Sequence, residues 1–432
     1  MTFREEIEAA ESAPKQIERL FQSALKEKRE AEFRADLITC HRAAPDNLLY
    51  AAWFHRLRAA AADSTSARRK TNWKLALPLS LASGSIMWLL SAERLVYQPE
   101  QMPYLAQLAA PILAILTMAY LSATSGRGTG RALRASAGLA AAVAYVMLLS
   151  PENDHYRLLM APHLLLLSWA AVGVSVIGAG ASARERFSFL IKSVEVFVTG
   201  GVFLIATFVF SGIALSMFAA LDVEVGDAIN RLMFVGLGAA VPLLAVASAY
   251  DPLLSPARQE FTRGVGRLII TFPRVLLALS IVVLAVYLVA ILFNFMAPFE
   301  HRDVLIIYNV MLFAVMGLLL GATPVTAADL SARLQSALRK AIMVVAVMVV
   351  IVSLYALAAV IYRTVGHGLT VNRMTVIGWN SVNIGLLVLL LYRQLRRGRK
   401  AWVRNLQKTF GDGIFAYTAW GVFVTIAAPW LF

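Results

Sequence analysis

"AIMVVAVMVVIVSLYALAAVIYRTVGHGLTVNRMTVIGWNSVNIGLLVLL", Ala341 to Leu390, decides how the chain is read. Two apolar runs, 341–362 and 373–392, flank a short polar turn that carries Arg363, His367 and Arg373. Each run has roughly 20 residues. A helix of that length, rising ~1.5 Å per residue, covers the ~30 Å of hydrocarbon in a bilayer. The segment therefore reads as a transmembrane helical hairpin.

The same pattern fills most of the chain. Runs at 74–92, 104–123, 132–150, 158–180, 194–220, 231–250, 273–296, 303–322 and 414–432 bring the predicted spans to eleven. Composition agrees: 59% of the 432 residues are hydrophobic and 15% are charged, against about 25% charged in an ordinary soluble domain. The predicted fold class is all-α, a polytopic helical membrane bundle covering 73–432, preceded by a polar segment over 1–72. No apolar stretch follows Met1, so the first span is expected to act as the anchor without a cleaved leader. The single cysteine, Cys40, excludes a disulfide within the chain.

A net charge of +14 would point a soluble protein toward nucleic acid. Here the charges sort by side of the membrane. With a cytoplasmic N-terminus, 34 of the 40 lysines and arginines fall in inside segments. Only Arg94, Arg157, Arg231, Arg302, Arg363 and Arg373 fall outside. That alternation predicts N-in, C-out topology. The basic excess is then a topology signal that also attracts anionic lipid, and nucleic acid is not an expected partner. The outside loops are short and lean acidic, leaving no room for a receptor or catalytic domain there.

In the polar segment, "PKQIERLFQSALKEKREAEFRADLITCHRA" (14–43) places Ile17, Leu20, Phe21, Leu25, Phe33 and Leu37 at helical spacing. "APDN" breaks it, and Asp46 or Asn47 is placed to cap a second helix, "LLYAAWFHRLRAA" (48–60). This resembles half of a tetratricopeptide unit. A lone hairpin of that kind cannot bury its own face, so it is expected to pack on the membrane domain, on itself or on a cytoplasmic protein partner.

No motif of soluble-type catalysis occurs: no P-loop, no pair of histidines at i, i+4, no GxSxG. The reading is non-enzymatic, with no cofactor and no metal ligand set; "FEHRD" (299–303) reads as a solvated tight loop. Polar residues inside spans are costly and so become the site candidates. Glu195 opens span five with Thr199 on the same face, and is either neutralised by Lys192 at i−3 or a proton or cation carboxylate. Asn294, Asn309, Asn380 and Asn383 are placed to hydrogen-bond across helices. His163 follows Pro162 near the outer end of span four, as a buried donor or a proton relay. Glycines in spans five and six, with Pro242 and Pro273, allow either close helix packing or a break lining a cavity. Three inside loops, "SARERFSFLIK", "SPARQEFTRGVGR" and "SARLQSALRK", start on a serine suited to cap a helix.

In the opening turn, Tyr362 ends span nine at the interface. Gly366 or Gly368 supplies a left-handed cap, and Thr370 caps span ten. Arg363 and Arg373 then sit at the two rims. They either snorkel to outer-leaflet phosphates or form a guanidinium clamp for an anion: a lipid phosphate, an acidic loop or a partner's carboxylate.

The stretch "LYALAAVIYRTVGHGLTVNRMTVIGW" (354–379), with "GIALSMFAALDVEVGDAINRLMF" upstream, resembles the DUF4153 family, a domain-of-unknown-function family of bacterial multi-span membrane proteins. The likeness covers about 180–400. Where that pattern has Tyr-Gly before Leu-Thr, this chain has His367-Gly368. The resemblance implies a bacterial inner-membrane protein and no particular reaction. Two functions follow from the layout. One is a transporter-like protein for a lipid or small solute. The other is a membrane scaffold or signalling subunit that recruits a cytoplasmic partner through 1–72, with "RQLRRGRKAWVRNLQK" (393–408) seated on anionic lipid.

Overall fold

The computed structural model describes the chain apart from residues 1–2, 28, 68–70, 93–103, 150–153, 179, 262–264, 301, 327–329 and 397–400. It is built of helices, with no strand among the described residues. Contacts divide it into two compact units, residues 1–70 and 71–432.

The first unit holds α1 (Phe3–Ala9), α2 (Pro14–Lys26), α3 (Glu30–Ala43) and α4 (Leu48–Ala67). The expected capping residue is Asn47, whose Oδ1 accepts from the backbone N–H of Leu49 (2.9 Å) and Tyr50 (3.2 Å). One expectation is corrected here. The 14–43 stretch is two helices, and with α1 in place the unit buries its own apolar face. Phe3, Ile7, Ile17, Phe33, Leu37, Tyr50 and Trp53 form one core. Edge-on contacts of Phe33 with Phe3 (5.8 Å) and Trp53 (6.1 Å) lie inside it. Leu25 stays exposed.

In the second unit, eleven helices among the described residues are long and apolar enough to cross a membrane, and the protein is a multi-pass integral membrane protein. They are α5 (Trp73–Leu90), α6 (Tyr104–Ser125), α7 (Thr129–Leu149), α8 (Asp154–Ile177), α9 (Ala183–Ala219), α10 (Asp227–Ala249), α11 (Val265–Phe293), α12 (Arg302–Ala322), α13 (Ala332–His367), α14 (Val371–Arg396) and α15 (Trp402–Leu431). Helices α6, α7 and α8 pack together; α10 lies between α5 and α9; α11 to α15 form a second group joined to the first through α8, α9 and α15. Their exposed sides are apolar, as on α11 with Val282, Val286 and Leu292. A surface of that kind is stable only in lipid.

Several helices overrun the predicted spans. With 37 residues, α9 is about 55 Å long, well beyond the hydrocarbon thickness. It starts at Ser182, whose side chain accepts from Glu185 N (3.2 Å); Ser331 caps α13 in the same way on Leu334 N (3.3 Å). Ser255 instead donates to Glu185 Oε1 (3.0 Å) ahead of a short 3-10 turn. Pro242 and Pro273 lie inside continuous helices and break neither. The irregularity is elsewhere, in a π-helical turn at Leu232–Gly236. There a Cβ on Gly84 of α5 would lie 2.5 Å from the Gly236 carbonyl oxygen, so the two backbones meet only because Gly84 has no side chain. Arg94, His301 of "FEHRD" and the basic run 397–400 lie outside the described residues, as do the side chains of Arg157, Arg302 and Asp303.

Candidate functional site

The turn between α13 and α14 shapes one end of the membrane unit. Helix α13 continues through Gly366 to His367, and Gly368, at φ +79°, makes the turn. Thr370 then caps α14, accepting from Arg373 N (3.4 Å). This brings Arg363 and Arg373 to one cavity of about 900 Å³. Its walls come from the first turns of α8, α12 and α14 and the last turns of α13, including Leu159, Pro162, Asn309 and Thr375, with Phe432 just past α15. Arg363 Nη1 donates to the Glu300 carbonyl (3.0 Å) and Arg373 Nη1 to the Gly368 carbonyl (2.5 Å). A guanidinium has five N–H donors. One carbonyl apiece, among the described residues, fixes each group and leaves donors for an anion.

A second, apolar cavity of about 610 Å³ adjoins the first, sharing Leu159, Pro162 and Thr375 in its lining. It lies between α8, α12, α14 and α15. Trp379 stacks on Tyr417 (5.5 Å between ring centroids) and meets Phe313 edge-on (5.9 Å). His163 faces Trp379 at 5.8 Å and is 3% exposed.

The asparagines brace the walls. Asn380 Nδ2 donates to Asn309 Oδ1 (3.0 Å), tying α14 to α12, while Asn309 Nδ2 is held by the Leu305 carbonyl (2.8 Å). Tyr417 donates to Asn383 Oδ1, tying α15 to α14. These are the cross-helix bonds the sequence led one to expect, each worth about 0.6 kcal/mol in a membrane bundle. Asn294 departs from that expectation. It sits just past the end of α11, exposed, and among the described residues its side chain makes no bond to another helix.

Glu195 is also apart from the cavities. It lies in the fourth turn of α9, buried, with Oε2 2.8 Å from Lys192 Nζ. Lys192 Nζ also donates to the Ala249 carbonyl (3.3 Å) and lies 5.2 Å from the Phe261 ring centre. The neutralised pair is therefore the arrangement formed, at the level where α10 ends.

Sequence reading missed a polar layer at the opposite end from Arg363. Asp412 accepts from Arg186 Nη2 (2.7 Å) and Arg393 Nη2 (2.9 Å), joining α9, α14 and α15. Arg339 of α13 donates to Gln394 Oε1 (3.1 Å) and its carbonyl (2.7 Å); Gln394 in turn donates to the Trp402 carbonyl (2.8 Å). Gln407 donates to the carbonyls of Pro324 and Val325 (both 2.9 Å). The available signal was Asp412 itself, the one acid in a long basic stretch.

The arrangement can hold a molecule with an anionic end at Arg363 and Arg373 and an apolar body beside it. It places no nucleophile and general base together. No family model matches the chain, and neither the curated proteins nor the solved structures contain a match to it.

Proposed function

We propose that this protein binds an anionic amphiphile and moves it within or across the membrane, as a transporter-like protein of the bacterial inner membrane with its N-terminus in the cytoplasm. The observation that carries this reading is the meeting of Arg363 and Arg373 in one cavity that borders an apolar chamber. Bidentate N–H donation suits a phosphate or carboxylate headgroup, and the chamber offers the apolar part a path into the bundle. Among the polar groups inside the spans, Glu195 is already neutralised by Lys192, which speaks for a lipid over a coupled ion. The charge alternation supports the orientation, and the Tyr362–Arg373 stretch supports kinship with DUF4153.

The test is native mass spectrometry of gently extracted protein, wild type against Arg363→Ala/Arg373→Ala. Retained anionic lipid in the wild type, lost in the double variant, is the expected result. Equal lipid content in both would refute the site. A second reading rests on the self-contained core of residues 3–57: that unit recruits a cytoplasmic protein. A stoichiometric partner that disappears when residues 1–70 are removed would favour it.

A further inference from the structure

We infer that the apolar chamber is a binding site for a hydroxyl-bearing apolar molecule, with His163 Nε2 as acceptor of the hydroxyl proton. His163 Nδ1 lies 2.8 Å from the Leu159 carbonyl oxygen. A carbonyl has no proton to give, so Nδ1 carries the ring proton and donates it. In the neutral imidazole Nε2 then holds a lone pair free to accept. That atom is buried and has no partner among the described residues, in a residue only 3% exposed. Thr375 Oγ1, on the same lining, is likewise buried without a partner among the described residues, in a residue 4% exposed. Buried polar atoms are seldom left unsatisfied, and two on one cavity wall call for an occupant.

The wall defines what that occupant is. Trp379, Tyr417 and Phe313 supply aromatic faces, and most of the remaining lining is aliphatic. An apolar body is therefore favoured. A ligand with only acceptors would leave Nε2 unpaired, whereas a hydroxyl donates to Nε2 and accepts from Thr375 Oγ1–H. A phenol or a ring-bearing lipid alcohol meets both demands, and a plain acyl chain meets neither. The demand is set by His163 and Thr375, and it holds whether or not an anion occupies the adjoining cavity at Arg363 and Arg373.

The experiment compares 2,6-diisopropylphenol with its methyl ether and with 1,3-diisopropylbenzene, binding to detergent-solubilised full-length protein read by tryptophan fluorescence. Affinities are divided by each probe's micelle partition coefficient. The wild type is expected to bind the phenol about tenfold more tightly than either probe lacking the donor, the effect of one buried hydrogen bond. His163→Phe removes the acceptor and should erase that difference while leaving the hydrocarbon's affinity intact. Equal affinities for the three probes in the wild type would overturn the proposal without recourse to any variant. So would a tenfold preference that persists in His163→Phe.

Discussion

Replacing Glu195 with glutamine removes one charge of a buried pair and leaves the other. Lys192 and Glu195 side chains are 5% and 11% exposed, with 2.8 Å between Nζ and Oε2. At an effective dielectric of ~20, charges that close attract by about 6 kcal/mol. Desolvating the two ions costs several kcal/mol each, so the intact pair contributes little net stability. The single variant is different. In Glu195→Gln the ammonium keeps the Ala249 carbonyl and the face of Phe261 but loses the Glu195 carboxylate, at a cost of about 3–5 kcal/mol. Lys192→Met should cost a similar amount by stranding the carboxylate. The double variant Lys192→Met/Glu195→Leu should fall within ~1 kcal/mol of wild type, giving a coupling energy of at least ~3 kcal/mol. Unfolding in mixed micelles at graded SDS measures all three. A Glu195→Gln cost below ~1 kcal/mol, or a double variant as unstable as the singles, would refute the reasoning. Function read in parallel separates a structural pair from a working carboxylate: a stable double variant with full activity means Glu195 only holds α9.

A Cβ on Gly378 would lie 1.7 Å from the Trp420 ring, so Gly378→Ala should destabilise the bundle by about 3 kcal/mol, the upper end of overpacking costs. Adding Trp420→Leu should recover most of that in the same SDS titration. In the first unit, hydrogen bonds from Arg56 and Gln22 hold the Glu18 carboxyl below the usual carboxylate range. A lowered folded-state pKa gives stability that is present above the unfolded value of about 4.3 and is lost as pH falls through the folded one. Hydrogen exchange in α2 should accelerate over that acid window in the wild type and less so in Glu18→Gln; the exposure of the pair keeps the effect small. For orientation, a cysteine at Gly366 in a Cys40→Ser background should react with an impermeant maleimide from outside intact cells, and one at Ser182 should react only after permeabilisation. The opposite pattern would invert the proposed topology.

The helices were legible because apolar run length is a physical requirement of the bilayer and does not depend on neighbours. The caps at Ser182, Ser331, Asn47 and Thr370 were legible for a similar reason: each is set by bonds within a few residues. The first unit's core was harder. Its closure depends on Phe3 and Ile7 from a short helix, and no periodicity survives in seven residues. The pairing of Arg363 with Arg373 in one cavity follows from a tight turn and could be anticipated. Pairing of Asn380 with Asn309, rather than with Asn383 on its own face, depends on which helices are neighbours. Hydropathy carries no information on that. Asp412 was missed because 393–408 reads as a basic segment seated on anionic lipid, while in the fold Trp402, Asn405, Gln407 and Thr409 are buried in the first turns of α15, the foot of that helix.

That foot has a consequence for how the protein is made. Asn405, Gln407 and Thr409 are polar and costly to place in lipid, yet they are buried beside Trp402. Their partners, Gln335, Gln394, Arg393 and Pro324, precede them in the chain. The polar foot of α15 is thus matched by residues that come before it in the chain. Biogenesis acquires a direction: a chain stopped before residue 402 would leave Arg186 and Arg393 facing the place Asp412 should fill, ready for recognition by quality control.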